Sequence, residues 1–397
     1  MKYPTSVLIG ALFLALTRFS AAQNSAAAPG TPAASAANAA SSTVVSPDVL
    51  SDRRVVFRLS APKATAVTMK GDWHDDVKAL TKDEKGVWSL TLGPFAPSKY
   101  IYNFTVDGVT IADPANPQVK LRQQGQGSFF DVAGATPGLG DARDVPHGAI
   151  EVNPQKSVVL SETRTFLVYT PPGYAQDRDR RYPVLYLLHG SNDRPQGWVD
   201  IGNINYIADN LIADKKAEPM IIVLPLAHAL PMGSRGTGAR NNAVVFEEYL
   251  LKDVIPAVEA KYRVAAGRQN RAIAGLSMGG DITMRVFSNH VDLFSAAGMF
   301  SPAGAVRAVP TEKAAVYGDA KGFNAKVDAL YLACGRQDSL FASSKELDES
   351  LTKLGINHTW RPTEGYHHFA LWREHAAEFL PLLFHKNGPA SLAAGGK

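Results

Sequence analysis

A serine with a glycine two positions before it and another two positions after it is the residue of this sequence best suited to do chemistry. Residues 275–280 read GLSMGG around Ser277, after an apolar run and before a helix-compatible segment. At such a sharp strand-to-helix turn, a serine presents its Oγ clear of the sheet and beside helix N-terminal amides. Side chains at Gly275 or Gly279 would collide with neighbouring backbone. We therefore predict that Ser277 is the nucleophile of an acyl transfer.

An acid and a base follow the serine in the order that such a nucleophile requires. Asp338 lies just past a buried-strand pattern at residues 329–333, and a later loop at residues 364–369 carries His367. Open α/β sheets gather their functional groups at the carboxyl ends of their strands. Taken singly, Asp338 could cap a helix and His367 could be a surface residue. The order of the three predicts a catalytic triad of Ser277, Asp338 and His367.

The backbone N–H groups of Met278 and Ser191 are the predicted donors to an oxyanion. Met278 directly follows the nucleophile, and Ser191 follows the apolar run 182–188. Continuous apolarity of this kind is typical of a parallel strand that is covered on both faces. Between the run and Ser191, Gly190 allows close approach of the loop to a substrate. We interpret His189 as a residue that orients this loop, in preference to a second base.

Several of these segments resemble the esterase D family, which includes feruloyl and acetyl-xylan esterases, enterochelin esterases, S-formylglutathione hydrolase and mycolyltransferases. The resemblance covers roughly residues 150–385. It is carried by residues 169–174 (YTPPGY), 182–190 (YPVLYLLHG) with Trp198, 275–280, 335–338, and 365–369 (GYHHF) with Trp372. It implies an α/β-hydrolase fold with a doubly wound sheet, and a serine esterase that works through an acyl-enzyme.

Two adjacent histidines compete for the role of base, since neighbours on an extended loop point in opposite directions. In the family, the base is two residues after a glycine and two before an aromatic residue, which selects His367 over His368. The sequence departs from the family at Tyr366, where a second glycine is common.

The acyl group sets a further expectation. A feruloyl group is flat and aromatic, so its pocket should be largely apolar. Trp198, Phe369 and Trp372 adjoin the predicted oxyanion donor and base. They are the predicted substrate-binding residues, with packing as the alternative for each.

Residues 46–132 form a different unit, with short β-rich runs separated by turn signals such as Asp107-Gly108. The order of residues 71–73 (GDW), 86–88 (GVW), 100–104 (YIYNF), 106–108 (VDG) and 113–116 (DPAN) resembles carbohydrate-binding module family 48, which implies a small immunoglobulin-like β-sandwich before the hydrolase. Trp73 and Trp88 are either platforms for sugar rings or members of the sandwich core.

The rest of the chain divides by composition. Residues 1–22 are typical of a secretory signal peptide, too short to span a bilayer, so an exported protein, periplasmic or secreted, is expected. Residues 23–45 are a predicted low-complexity linker, 133–150 a connector and 151–387 the esterase domain. The aperiodic stretch 225–242 is a predicted loop over the substrate cleft.

Composition also argues against several classes of protein. The formal net charge is +4 with 20% charged residues and no basic run, which argues against nucleic-acid binding. No metal-ligand spacing is visible, so neither a metal nor another cofactor is expected. The single cysteine, Cys334, is interpreted as a small buried hydrophobic residue. The oligomeric state stays open, with a dimer as one option.

Three functions remain at this point. The first is an exported serine esterase acting on feruloyl or acetyl esters of plant cell-wall polysaccharide, with feruloyl favoured. The alternative enzyme is a periplasmic siderophore trilactone esterase of the enterochelin type. The third is a carbohydrate-binding protein with a decayed hydrolase domain, which the intact Ser277, Asp338 and His367 disfavour.

Overall fold

The computed structural model describes residues 44–230 and 238–385. The predicted signal peptide, nearly all of the predicted linker and the central part of the predicted cleft loop lie outside these ranges. No helix within them is both long and apolar enough to cross a membrane.

The N-terminal part consists of two antiparallel sheets of four and six strands. The strand order is β1-β2-β6-β5 in the first and β4-β3-β7-β10-β9 in the second, where β8 pairs with β7. The strands are β1 (Asp48–Val49), β2 (Val55–Ser60), β3 (Val67–Gly71), β4 (Lys78–Ala79), β5 (Thr81–Lys82), β6 (Val87–Leu92), β7 (Ser98–Val106), β8 (Val109–Ile111), β9 (Val119–Leu121) and β10 (Gln126–Val132).

Successive side chains of β7 point to opposite faces of the second sheet, so the strand contributes to a different core on each face. Tyr100, Tyr102 and Phe104 enter the core that the two sheets enclose, as the period-two pattern predicts. Phe57 of the other sheet meets Tyr102 edge-on, with ring centroids 4.9 Å apart. Ile101 points the opposite way and is buried in a core of the C-terminal part. The second sheet is therefore apolar on both faces along this strand.

Both N-terminal tryptophans belong to the sandwich core. Trp88 is 8% exposed and donates its indole N–H to the Ala61 carbonyl at 3.0 Å. Trp73 is half-buried, stacks on Phe57 with centroids 6.1 Å apart, and meets Phe95 edge-on at 4.9 Å. Packing is therefore the role of the Trp88 ring. Trp73 packs against the core with part of its ring and lines a surface pocket with His74 and Tyr366.

The C-terminal part is built on one eight-stranded sheet of order β11-β12-β14-β13-β15-β16-β17-β18. The first pairings, β11 with β12 and β12 with β14, are antiparallel, and the rest are parallel. The strands are β11 (Ala149–Lys156), β12 (Thr163–Thr170), β13 (Val184–Leu188), β14 (Ile221–Leu224), β15 (Arg271–Leu276), β16 (Ala296–Phe300), β17 (Ala329–Gly335) and β18 (Thr359–Thr363).

Helices cover both faces of this sheet, and two separate hydrophobic clusters result. This doubly wound arrangement confirms the predicted α/β-hydrolase fold. The helices are α1 (Gln196–Asp200), α2 (Ile204–Ala213), α3 (Gly238–Tyr249), α4 (Ile255–Lys261), α5 (Met278–Asn289), α6 (Val309–Glu312), α7 (Ala314–Tyr317), α8 (Ala320–Lys326), α9 (Phe341–Lys353) and α10 (Phe369–Phe379).

The helical segment that begins at Gly238 is interrupted. A π-helical stretch, Leu250–Val254, separates α3 from α4, and Pro256 lies in the first turn of α4. Proline lacks the N–H that an unbroken helix would use here.

The predicted cleft loop is shorter than expected, because α3 already begins at Gly238. Asn242 closes the loop from within that helix. Its side-chain oxygen accepts the Ala229 N–H at 2.9 Å, and its amide nitrogen donates to the Ala227 carbonyl at 3.0 Å. The sequence here is rich in glycine and alanine and has no apolar periodicity, so it does not predict this first helical turn.

The connector lies along α2. Asn203 donates its side-chain N–H to the Gly140 carbonyl at 2.7 Å. Asn210 donates to the carbonyls of Leu139 and Asp141 at 2.8 and 2.9 Å. These bonds satisfy backbone groups of a segment without regular structure and fix its path.

Candidate active site

Ser277 occupies the turn between β15 and α5 in a backbone conformation that is unusual for a residue other than glycine, with φ 52° and ψ −120°. The turn is closed by glycines. A Cβ on Gly275 would lie 2.4 Å from the Gly279 carbonyl oxygen, and one on Gly279 would lie 2.6 Å from the His189 carbonyl oxygen. The steric reason for the GLSMGG pattern is therefore confirmed. Strain of this kind is concentrated at functional sites.

A hydrogen-bonded relay joins the three residues predicted as a triad. Ser277 Oγ lies 3.0 Å from His367 Nε2, and His367 Nδ1 lies 2.7 Å from Asp338 Oδ2. A carboxylate only accepts hydrogen bonds, so the proton belongs on Nδ1 and leaves Nε2 to accept the serine hydroxyl. The three side chains come from loops after β15, β17 and β18, at one edge of the sheet.

The Asp338 carboxyl group is held in its charged form. Burial acts to raise its pKa, but the hydrogen bond from His367, electrostatic attraction to that ring and the Leu340 N–H together lower the pKa below its usual value. The Leu340 N–H reaches Asp338 Oδ1 at 2.9 Å, which leaves Oδ2 for the histidine. A negative carboxylate fixes the imidazole tautomer and stabilises an imidazolium.

Ser301 is a site residue that the sequence analysis missed. It follows β16 directly, with φ 46°, and its hydroxyl hydrogen-bonds to Asp338 while accepting the Trp372 indole N–H at 3.1 Å. The only available signal was its position at the end of a strand whose neighbours carry Ser277 and Asp338.

Two backbone amides next to Ser277 are available to a substrate oxygen. Met278 is the first residue of α5, and Ser191 is in the loop after β13. Gly190 brings this loop against the nucleophile, since a Cβ there would lie 3.3 Å from Ser277 Cβ. Within the described residues, neither the Met278 nor the Ser191 N–H donates a backbone hydrogen bond. Backbone N–H groups of this kind are donors that an oxyanion hole can use.

His189 has the structural role that we predicted. It is fully buried, donates from Nδ1 to the Gly190 carbonyl at 2.8 Å and accepts the Ala227 N–H at Nε2 at 2.9 Å. Burial lowers its pKa to about 4. A neutral ring with both nitrogens engaged orients the loop and has no free nitrogen to act as a base.

The three aromatic residues predicted to bind substrate lie in the core instead. Trp198, Phe369 and Trp372 are 0%, 2% and 6% exposed. Trp198 donates its indole N–H to the Leu188 carbonyl at 3.0 Å, and Trp372 meets the His367 ring edge-on at 4.8 Å. A large aromatic side chain next to a catalytic loop can either pack beneath the loop or contact the substrate. The sequence alone does not distinguish these two roles.

Cys334 is buried at the end of β17, and burial raises the pKa of its thiol to about 12. Its interpretation as a buried hydrophobic residue is confirmed. Within the two described ranges, no three His, Cys, Asp or Glu side chains are grouped so as to hold a metal ion.

Comparison with known proteins identifies the family. Residues 157–382, more than half of the chain, match the Esterase family model, described as "Putative esterase". A curated relative is the endo-1,4-beta-xylanase/feruloyl esterase of Xylanibacter ruminicola, 29% identical over 347 residues. That alignment covers 85% of this chain and only 46% of the relative. The chain thus spans less than half the length of this relative.

Solved structures show the same fold. A ferulic acid esterase is 26% identical, with a TM-score of 0.51, and the match covers 59% of this chain and 97% of the other. An enterobactin esterase from Shigella flexneri is 17% identical, with a TM-score of 0.64, and the match covers 84% of this chain and 94% of the other. The family match, the fold and these relatives lead to one conclusion: the chain belongs to the Esterase family.

Proposed function

We propose that the protein is a serine esterase that hydrolyses feruloyl esters of plant cell-wall polysaccharide through Ser277, His367 and Asp338. The observation that carries the mechanism is the relay from Ser277 Oγ to His367 Nε2 at 3.0 Å and from His367 Nδ1 to Asp338 Oδ2 at 2.7 Å. An intact relay of this kind also argues against a decayed hydrolase.

The reaction proceeds in two steps. His367 takes the Ser277 proton as Oγ attacks the ester carbonyl, and the amides of Met278 and Ser191 stabilise the resulting oxyanion. The tetrahedral intermediate collapses when His367 returns the proton to the leaving alcohol, which leaves an acyl-serine. Water then attacks the acyl-serine with His367 again as base, and the acid is released.

The feruloyl assignment is supported by the relatives. The Xylanibacter ruminicola protein carries xylanase and feruloyl esterase in its name, and its alignment extends over 85% of this chain. The ferulic acid esterase structure, at 26% identity, supports the same substrate class. Acetyl esters are the second acyl class that we propose.

A siderophore trilactone esterase is the second candidate. The observation that favours it is the enterobactin esterase match, which covers 84% of this chain, whereas the ferulic acid esterase match covers 59%. At 17% identity this likeness shows the fold alone.

One panel separates these substrates. Purified enzyme is assayed with methyl ferulate, p-nitrophenyl acetate and a ferric-catecholate trilactone, with Ser277→Ala as the blank for each. We expect the highest kcat/KM on methyl ferulate. A kcat/KM on the trilactone above that on methyl ferulate would transfer the assignment to the siderophore esterase.

We further propose that residues 46–132 form an immunoglobulin-like domain of the carbohydrate-binding module family 48 type, and that residues 1–22 direct export. The two antiparallel sheets around one core support the first proposal. Trp88 is buried in that core, so any polysaccharide binding would use the exposed part of Trp73 or other side chains. Retention of the catalytically inactive Ser277→Ala protein on insoluble arabinoxylan measures such binding, and free passage of the protein argues against it.

A further inference from the structure

A lysine of the N-terminal part forms a buried ion pair with the loop that carries Ser191. Lys120, on β9, places its Nζ 2.9 Å from Asp193 Oδ1, and the two side chains are each 6% exposed. Burial acts to lower the pKa of Lys120, and Asp193 opposes this shift. A buried ion pair is weak evidence for stability, because desolvation offsets much of the attraction. Stability alone therefore does not explain why Lys120 and Asp193 are buried as a pair.

Asp193 is itself part of the oxyanion loop, two residues after Ser191. Its backbone N–H donates to the Gly190 carbonyl at 3.3 Å and closes a turn around Ser191. Its Oδ1 also accepts the Arg194 N–H at 2.8 Å. Holding this carboxylate in place therefore holds the turn that presents the Ser191 N–H.

The residue between Ser191 and Asp193 is also held by the N-terminal part. Asn192 adopts a left-handed backbone conformation, with φ 56°. Its Oδ1 accepts the Gln124 N–H at 2.8 Å, and its Nδ2 donates to the Gln124 carbonyl at 3.3 Å. The Gln123 N–H reaches the Asn192 carbonyl at 3.3 Å. These bonds come from the turn between β9 and β10, only a few residues beyond Lys120.

Lys120 also contacts the histidine loop. Its Nζ lies 4.9 Å from the centroid of the Phe369 ring, and Phe369 is two residues after His367. A cation over an aromatic face in a buried setting is attractive. One side chain thus bridges the loop of the oxyanion donor and the loop of the base.

We propose that Lys120 is a positioning residue for the esterase reaction, and that it acts with the Asn192–Gln124 pairing to set the Ser191 N–H against the nucleophile. This inference rests on the proposed serine esterase mechanism. On the other side of the loop, Gly190 is already fixed against Ser277. The contacts from Lys120 and Gln124 supply the opposite support, so the N-terminal sheets complete the oxyanion hole of the hydrolase.

The test compares three variants of the full-length enzyme on p-nitrophenyl acetate. Lys120→Met removes the charge while keeping an unbranched side chain. Asn192→Gly removes the amide and tolerates the left-handed backbone. Lys99→Met is the matched control, because Lys99 also reaches from the N-terminal sheets, to the Asp200 carbonyl at 2.7 Å and to Asn203 Oδ1 at 2.9 Å, away from the oxyanion loop.

Loss of one oxyanion donor costs on the order of 10²–10³ in kcat. We expect Lys120→Met and Asn192→Gly each to lower kcat at least tenfold, with KM within about threefold and the midpoint of the pH–rate profile unmoved, because the base is unchanged. Lys99→Met should stay within about twofold in kcat, since it touches no oxyanion donor. Thermal unfolding confirms that each variant is folded at the assay temperature.

Three results would overturn the proposal: an unchanged kcat in folded Lys120→Met, an unchanged kcat in folded Asn192→Gly, or an equal fall in Lys99→Met. If Lys120→Met does not fold, Asn192→Gly decides alone. An inactive wild-type enzyme would instead count against the proposed function, so the two failures are distinguishable.

Discussion

The His368 ring stacks against the Tyr100 ring, with centroids 6.5 Å apart and planes 24° from parallel. His367, its neighbour in the chain, turns the other way and hydrogen-bonds to Ser277 and Asp338. Burial lowers the pKa of His368 to about 4, with a further contribution from His367. One histidine therefore packs towards the N-terminal sheets, and its neighbour is placed to act as the base.

Exchanging each histidine for alanine should give very different enzymes. His367→Ala removes the proton acceptor and should lower kcat on the order of 10⁵–10⁶. His368→Ala should keep kcat within about tenfold and lower the melting temperature, because it removes a half-buried ring that packs against Tyr100. Steady-state kinetics and thermal unfolding of both variants check this expectation. The reverse ranking in kcat would overturn the choice of base.

The turn around Ser277 should not tolerate a methyl group at Gly279. A Cβ there would lie 2.6 and 2.8 Å from the carbonyl oxygens of His189 and Leu188. Overpacking typically costs about 1–3 kcal/mol, and here it also pushes the oxyanion loop away. Gly304→Ala is the matched control, because the nearest atom to its Cβ is 3.9 Å away. Chemical denaturation should show a loss of stability for Gly279→Ala alone, and equal stability of the two variants would contradict the steric argument.

Trp198 should matter for folding rather than for substrate affinity. Trp198→Phe leaves the buried Leu188 carbonyl without its indole donor, which costs about 1–3 kcal/mol. We expect a lower free energy of unfolding and a KM for methyl ferulate within about twofold of wild type, since the ring is not at the surface. A raised KM with unchanged stability would restore Trp198 to the acyl pocket.

The proximity of Ser277, Asp338 and His367 could be predicted because each follows a strand, and the carboxyl ends of parallel strands lie at the same edge of a sheet. The tight turn at Ser277 could be predicted because Gly275 and Gly279 are required by backbone contact. The role of the aromatic residues could not be predicted, since burial depends on which side of a loop faces the core. The Lys120–Asp193 pair left no local signal either, because the two residues are distant in sequence and no spacing rule connects them.

Asp72 should make stability depend on pH between about 4 and 7. Burial raises its pKa from 3.8 to about 7, although the Ile101 N–H, Lys120 and Arg122 oppose the shift. The folded state therefore binds a proton that the unfolded state has released, so this group lowers the free energy of unfolding as pH rises through that window.

Asp72→Asn should remove this dependence, so its free energy of unfolding should rise relative to wild type from about pH 4 to pH 7. Asp107→Asn is the control, because the hydrogen bonds from Thr65 and Ala66 lower the pKa of Asp107. That variant should show no such relative rise over the same range. Urea denaturation at several pH values measures both, and parallel profiles for Asp72→Asn and wild type would be inconsistent with a raised pKa.

Whether Ser277 is the nucleophile is decided by the kcat of Ser277→Ala on p-nitrophenyl acetate. We expect a fall on the order of 10⁵–10⁶ in a variant that remains folded, because no acyl-enzyme can form. Retention of a tenth or more of the wild-type kcat would contradict this expectation.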